Sequence, residues 1–192
     1  MSYIKDDFLL ENKTALRLYN DYAENMPIFD YHCHLSEKQI LENKRFNDVC
    51  EVWLGGDHYK WRLMRNYGVP ERLITGDASN HDKFVAYCKT LSTAFGNPLY
   101  YWSQLELKEF FNCELEINEE NAETIWNWCN DYIALNDVTP QKLIEQSNVK
   151  HIFTTNEVFD DLSTFEEIRK RNYKFTVTPA FRADKMMNIE AE

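Results

Sequence analysis

A short, mainly apolar segment that ends in two histidines constrains this chain more than any other part of its sequence. Residues 28–31 lead directly into His32, Cys33 and His34. Because successive side chains of a β-strand point to opposite faces, His32 and His34 are expected to point the same way. Two imidazoles side by side at a strand end form half of a metal site or the floor of a catalytic pocket. Asp30 is either an outer partner of the histidines or the acceptor of a strand-end hydrogen bond.

Composition excludes several classes of protein. The 192 residues fit one domain or two small ones, and 44% hydrophobic residues are enough to build a core. A net charge of −11 with no basic stripe argues against nucleic-acid binding. No apolar run approaches the ~20 residues that a membrane span needs. An anionic substrate would therefore require positive charge that is gathered locally.

The N-terminal segment and the cysteines indicate a cytoplasmic location. Met1–Glu11 carries three acidic residues and lacks the apolar core of a signal peptide. The five cysteines are scattered and include no C-x-x-C pair, so they are predicted to be free thiols in a reducing compartment. Cys33 is predicted to be a small core residue that faces away from the two histidines.

The predicted elements are a strand, a long helical stretch and then a strand–helix–strand unit. Strands are predicted at about 28–32, 149–155 and 174–180, the last two with the parallel pairing of a β-α-β unit. Proline and capping signals indicate the helix starts. Helices are predicted at about 13–23, 37–43, 58–67, 80–95 and 98–111, and after the caps Asn118, Thr139 and Ser163.

Groups capable of chemistry follow each predicted strand. They are His32 with His34, the segment Thr154–Asn156, and Arg182. Functional groups at the carboxyl ends of parallel strands are typical of doubly wound sheets and of TIM barrels. A TIM barrel needs eight strands and typically ~250 residues, whereas three strands are visible here and residues 188–192 supply no closing element. We therefore expect this chain to be the first part of a larger fold.

Several segments carry a family resemblance that extends over the whole chain. They are Asp7–Leu10, Ile28–Leu35, Trp53–Leu54, Gly56–Arg62, Thr75–Ala78, Gly96–Tyr100, Asn148–Lys150, Thr154–Thr155 and Phe181–Lys185. On these residues the chain resembles the uronate isomerases (glucuronate/galacturonate isomerases), a branch of the amidohydrolase superfamily. An H-x-H pair alone is a weak signal, but together with Gly56–Arg62 and the terminal Arg-x-Asp-Lys it is specific. The resemblance implies that the 192 residues cover roughly the first two-fifths of a family member.

The resemblance implies an α/β fold, namely the N-terminal part of a (β/α)8 TIM barrel of the metal-dependent hydrolase type. Residues 1–192 would form the N-terminal portion of one domain. The first barrel strand is expected at about 27–34, a large helical insertion at about 36–147, and the second and third strands at about 149–180. The implied reaction is aldose–ketose isomerisation in hexuronate catabolism: D-glucuronate to D-fructuronate, and D-galacturonate to D-tagaturonate.

The resemblance also implies roles for individual residues. His32 and His34 would help to hold one divalent metal, with zinc as the expected ion. His58 and Tyr59 would be catalytic, because they can hydrogen-bond the sugar oxygens or move a proton between them. Arg182 would bind the hexuronate carboxylate in a two-point contact. The family's third protein ligand, an aspartate at the end of the eighth strand, lies outside this sequence.

Two alternatives to an isomerase stay open. One is a metal-dependent hydrolase of the amidohydrolase superfamily, and the other is a non-catalytic fragment. Because two metal ligands and three strands are present, the isolated chain is expected to bind metal weakly and to be inactive. An open three-stranded sheet exposes an edge, so self-association into a homo-oligomer or an aggregate is expected. His81 and His151 are predicted to be structural.

Overall fold

The computed structural model of the chain describes residues 4–188, and these fold into two compact units. The helical unit comprises the chain up to Leu16 together with Arg45–Val138. The sheet unit comprises Arg17–Lys44 together with the chain from Thr139 onwards. The sequence predicted that residues 188–192 supply no closing element. Of these, residues 189–192 lie outside the described range.

The described residues contain the following elements. The helices are α1 (Lys13–Leu18), α2 (Glu37–Glu42), α3 (Val49–Leu54), α4 (His58–Asn66), α5 (Asn80–Leu91), α6 (Pro98–Phe111), α7 (Ala122–Asn136), α8 (Pro140–Gln146), α9 (Ser163–Arg169) and α10 (Asp184–Met187). The strands are β1 (Ile28–Cys33), β2 (Val149–Thr154) and β3 (Thr176–Pro179). A π-helical turn at Tyr19–Ala23 continues α1, and a 3₁₀ turn lies at Glu71–Leu73.

Local capping determines where several helices begin. The Ser36 side chain accepts from the Gln39 backbone N–H, and the Gln39 side chain accepts in return from the Ser36 N–H. Thr139 accepts from the Lys142 N–H in front of Pro140, which is the first residue of α8. Each cap satisfies an N–H that would otherwise lack a partner in the first helical turn. These predicted helix starts are confirmed.

Two other predicted caps are wrong. The Asn118 Oδ1 accepts from the Asn121 N–H at 2.8 Å and so closes a turn in front of α7, which begins at Ala122. Ser163 is the first residue of α9, and its N–H and hydroxyl both donate to the Asp161 carboxylate. In both places a nearby side chain or backbone group forms an alternative local hydrogen bond that competes with the capping geometry.

The helical unit closes an aromatic core within itself. Trp53 lies against Phe84, Tyr87 and Phe111, with ring centroids 5.7, 6.1 and 6.4 Å apart respectively. All four side chains are almost completely buried, and the Tyr87 hydroxyl finds a partner in the Ser103 hydroxyl at 2.7 Å. α3, which supplies Trp53, was not predicted, although its cap Asp48 accepts from the Glu51 N–H.

The sheet unit is built on three parallel strands in the order β1–β2–β3. The predicted parallel pairing is therefore confirmed. One face of the sheet packs on helices α2, α8 and α9 through the buried side chains Ile40, Ile144, Ile152, Phe165, Ile168, Phe175 and Val177. The architecture of the described residues is α/β with a three-stranded parallel sheet. Within residues 4–188, no helix is long and apolar enough to cross a membrane.

Other side chains of the sheet unit remain accessible. Phe29 is 60% exposed and Tyr31 is 80% exposed, although both lie on β1. The Phe29 ring stacks on His151 with centroids 4.7 Å apart, and His151 contacts the hydroxyl groups of Thr176 and Thr178. This row of side chains crosses all three strands and is only partly covered.

Candidate functional site

His32 and His34 converge at the carboxyl end of β1. His32 is the penultimate residue of the strand, and His34 is the first residue after it. Their Nε2 atoms are 3.0 Å apart, and the two rings meet edge to face. The prediction that both side chains point the same way is confirmed. The two imidazoles converge although the register of β1 against β2 shifts between Asp30 and Cys33.

The distance between the two nitrogens suits a shared metal ion. Nitrogen ligands lie about 2.0–2.1 Å from zinc, so two of them are separated by about 2.9–3.4 Å for bond angles between about 90° and 110°. The observed 3.0 Å falls in this range. Imidazole nitrogens are also donors that zinc and similar divalent metals accept readily. The residues present therefore fit a divalent metal as two of its ligands.

Cys33 and Asp30 lie beside this pair without joining it. Cys33 packs against the buried core of the sheet unit, as predicted. Burial raises the pKa of the Cys33 thiol, and the Asp30 carboxylate adds a smaller effect in the same direction. The raised pKa disfavours the thiolate, which is the form that ligates metals. Asp30 accepts a hydrogen bond from the His32 backbone N–H at 3.2 Å, which is the strand-end contact considered from the sequence.

A polar network ties the end of β2 to the start of α2. The buried Thr154 hydroxyl donates to the Asn156 Oδ1 at 2.6 Å, and the Asn156 Nδ2 lies 3.4 Å from the Glu37 Oε2. Thr154 is also the register partner of Cys33 on β1. These contacts fix both sides of the short turn that carries His34. The sequence placed Thr154–Asn156 at a strand end but gave no role to Asn156.

Arg182 follows β3 and forms ion pairs with two carboxylates. Its Nη2 lies 3.0 Å from the Asp184 Oδ2, and its Nε lies 3.8 Å from the Glu157 Oε1. A single backbone bridge between Glu157 and Arg182 extends the pairing of β2 and β3. The Arg182 side chain is about half exposed, so a ligand carboxylate has access to it. Its predicted role in substrate binding stays a prediction.

His58 and Tyr59 lie in the helical unit, at the first turn of α4. Their rings are 4.5 Å apart, and the Asp57 carboxylate caps the helix by accepting from the N–H groups of Tyr59 and Lys60. Tyr59 lines a groove of about 510 Å³ together with Arg62 and Trp102. The sequence missed Arg62 as a groove residue, although it lies one helical turn after Tyr59 within the segment Gly56–Arg62.

The remaining histidines hold structural contacts, as predicted. His81 pairs with Glu123 at 2.7 Å and meets the Trp126 ring edge to face. His151 lies between Phe29 and the hydroxyl groups of β3. Among residues 4–188, no group of three or more His, Cys, Asp or Glu side chains is arranged to hold a metal. His32 and His34 thus form a two-ligand arrangement within the described part of the chain.

Comparison with known proteins agrees with the motifs. The sequence model of the glucuronate isomerase family matches residues 1–192, the whole chain. The chain belongs to the glucuronate isomerase family. Curated uronate isomerases from Caldanaerobacter subterraneus subsp. tengcongensis and Lactococcus lactis subsp. cremoris are each 46% identical to it, over 191 and 189 residues.

The relatives are much longer than this chain. The two matches cover 99% and 98% of this chain but only 41% and 40% of the respective relatives. The chain therefore spans about two-fifths of the length of the curated relatives that it matches.

Solved structures show the same relation. The uronate isomerase of Thermotoga maritima superimposes with a TM-score of 0.93 at 38% identity, over 100% of this chain and 42% of that chain. The glucuronate isomerase of Caulobacter crescentus, at 20% identity, shares the fold with a TM-score of 0.87 over 98% of this chain and 42% of that chain. The fold of this chain thus corresponds to part of the family structure.

Proposed function

We propose that this chain supplies two of the metal ligands of an aldose–ketose isomerase that acts on D-glucuronate. The observation that carries the proposal is the convergence of the His32 and His34 Nε2 atoms to 3.0 Å at a strand end, in a member of the glucuronate isomerase family. D-Galacturonate is proposed as a second substrate. The reaction moves a carbonyl group from C1 to C2 of the sugar.

The three parallel strands are proposed to be the first strands of a (β/α)8 barrel, with the helical unit as an insertion after β1. Two features support this arrangement. The strands are parallel and adjacent in the order in which they occur along the chain, as in a barrel. Most of the helical unit, Arg45–Val138, also lies in the chain between β1 and β2, whereas its remaining part precedes β1. Membership of the amidohydrolase superfamily, a cytoplasmic location and a homo-oligomeric state remain predictions from the sequence.

His32 and His34 are proposed to hold a divalent metal ion, with zinc as the expected ion. When bound, such an ion would polarise a sugar oxygen and stabilise negative charge that develops on it. The remaining ligands would come from outside this chain. With two candidate protein ligands among residues 4–188, the isolated 192-residue chain is predicted to bind metal weakly and to show no isomerase activity.

The other proposed residues act on the sugar directly. The Tyr59 hydroxyl can hydrogen-bond the sugar oxygens, and the His58 imidazole can accept the proton that leaves C2 and return it at C1. Arg182 can bind the uronate carboxylate with two parallel hydrogen bonds. To do so, its guanidinium would exchange the contact with Asp184 for one with the substrate. This local positive charge allows an acidic protein to bind an acidic sugar.

A chimera tests this proposal. Residues 1–192 of this chain would be joined to the remaining part of the Lactococcus lactis uronate isomerase, and ketose formation from D-glucuronate would be measured. We expect turnover by the chimera and none by the 192-residue chain alone. An inactive, folded chimera would contradict the proposed function. Turnover by the isolated chain would contradict the two-ligand account of its metal site.

A further inference from the structure

Lys60 is buried in the helical unit, although lysine is rarely buried unless it is paired. Only 4% of the residue is exposed. Its Nζ lies 3.0 Å from the Glu106 Oε2 on α6 and 3.7 Å from the Asp57 Oδ2. The ammonium group also lies 5.5 Å from the centroid of the Trp53 ring. An ammonium group in this position is stable only because these partners replace its water.

The Asp57 carboxylate joins this buried charge to the start of α4. Its Oδ1 accepts from the Tyr59 N–H at 2.9 Å and from the Lys60 N–H at 3.2 Å. Its Oδ2 faces the Lys60 ammonium group. The cap is therefore held from two sides, by the helix backbone and by a lysine that is itself anchored on Glu106.

The Tyr59 side chain has few contacts of its own to define its position. It is 56% exposed. Its ring contacts the ring of the neighbouring His58, and the Arg62 guanidinium group lies 5.7 Å from its centroid. The direction in which Tyr59 projects into its groove consequently depends on the backbone of the first turn of α4. That turn is the part which Asp57 and Lys60 hold.

We propose that Lys60 is a positioning residue: by fixing the Asp57 cap on α6 through Glu106, it sets the orientation of Tyr59. This inference rests on the proposed function of Tyr59. A misplacement of about 1 Å in a catalytic group can lower a rate about 100-fold, so a lysine that never touches substrate can control turnover. A purely structural Lys60 would instead change stability alone.

The test uses Lys60→Met in the active chimera. Methionine has a similar length without the charge, so it leaves Asp57 and Glu106 without their cation. We expect kcat to fall about tenfold or more at a temperature where the protein remains folded, because the Tyr59 side chain is misplaced. Lys60→Arg keeps a cation in the pocket and should restore much of the loss.

Two controls separate positioning from stability. Lys89→Met removes a similar Lys–Glu pair from the surface of the helical unit, where the Lys89 Nζ lies 2.8 Å from Glu119. It should leave kcat and the melting temperature nearly unchanged. Ile133→Ala opens a cavity in α7 of the same unit. It should lower the melting temperature as much as Lys60→Met or more, without the fall in kcat.

Amide hydrogen exchange on the 192-residue chain gives an answer that does not depend on activity. We expect the Tyr59 and Lys60 amides to exchange faster in Lys60→Met, whereas Ile133→Ala leaves them protected at equal stability. The inference would be overturned if Lys60→Met left the exchange of the Tyr59 and Lys60 amides unchanged. It would also be overturned if Lys60→Met left kcat of the active chimera unchanged. If the unmodified chimera is inactive, the proposed function fails, and the exchange experiment still decides the role of Lys60 in holding the first turn of α4.

Discussion

The helical unit and the sheet unit differ in where their aromatic side chains are buried. In the helical unit Trp53, Phe84 and Phe111 are buried among one another. In the sheet unit one face is buried under helices, while Phe29 and Tyr31 on β1 remain largely exposed. The first unit thus encloses an aromatic core, although Phe95 and Leu135 on its surface are exposed, and the second leaves two aromatic side chains of β1 uncovered.

The proposed metal ligands belong to the sheet unit, whereas the buried aromatic core belongs to the helical unit. His32 lies on β1, the strand whose apolar side chains are least covered, and His34 follows it directly. The aromatic core contributes most where removal from water is complete, at roughly 25 cal/mol per Å² of apolar surface. Mutations in the two units should therefore differ in kind: changes at the end of β1 should affect activity, and changes in the aromatic core should affect folding.

The largest expected effect is loss of activity when the histidine pair is broken. In the active chimera, His32→Ala or His34→Ala should lower kcat/KM by more than roughly 100-fold. Loss of a residue that only hydrogen-bonds a metal ligand costs roughly 10–100-fold, and loss of a ligand itself should cost more. His81→Ala, which removes a histidine from the helical unit, should leave kcat/KM within about threefold, because an exposed ion pair contributes little. Equal losses of kcat/KM for all three variants would contradict the expected difference between the two units.

The second effect concerns stability. Phe84→Ala in the helical unit should cost about 3–5 kcal/mol, because Phe84 is fully buried and its removal leaves a cavity. Phe29→Ala in the sheet unit should cost about 1 kcal/mol or less, because its side chain is mostly in water already. Urea unfolding of the 192-residue chain at low concentration measures both. Similar costs would mean that Phe29 is covered in solution.

A smaller effect distinguishes a real helix cap from an apparent one within the sheet unit. Ser36→Ala should cost about 1 kcal/mol, because the Ser36 hydroxyl accepts from the Gln39 N–H. Ser163→Ala should cost less than about 0.5 kcal/mol, since Ser163 caps nothing and its hydroxyl bonds an exposed Asp161. The same unfolding experiment compares the two variants. A larger cost at Ser163 would restore the capping box predicted from the sequence.

The smallest effect is a pH dependence on the surface of the helical unit. Hydrogen bonds from Arg65, and to a lesser extent from Thr75, lower the pKa of Glu71 to about 2. Because the pKa is depressed in the folded state, the stabilisation is present above the ordinary value of 4.5 and is lost as the pH falls towards 2. The melting temperature of the native chain should exceed that of Glu71→Gln slightly at pH 6, and the gap should close by pH 2. A gap that is independent of pH would contradict this origin.

Features that depend on neighbouring residues were predictable from the sequence. The caps Ser36 and Thr139 and the common direction of His32 and His34 follow from contacts within four residues. The caps predicted at Asn118 and Ser163 are wrong because Asn121 and Asp161 offer competing local hydrogen-bond partners. A capping pattern in the sequence does not reveal such partners.

Features that depend on distant residues were not predictable in this way. Lys60 and Glu106 are 46 positions apart, so their pairing appears only in the folded chain. The sheet unit likewise combines two segments of the chain, Arg17–Lys44 and the part from Thr139 onwards, which are far apart in the sequence. The sequence identified the family through its motifs, but it gave no sign that the start of α4 is held by a buried charge.

The most direct test of the central claim is the position of the metal in the active chimera. Crystals of the chimera grown with zinc would be measured by anomalous diffraction at the zinc absorption edge. We expect one zinc ion about 2.0–2.1 Å from the Nε2 atoms of both His32 and His34. An ion bound away from these two histidines, or an active chimera that contains no metal, would contradict it.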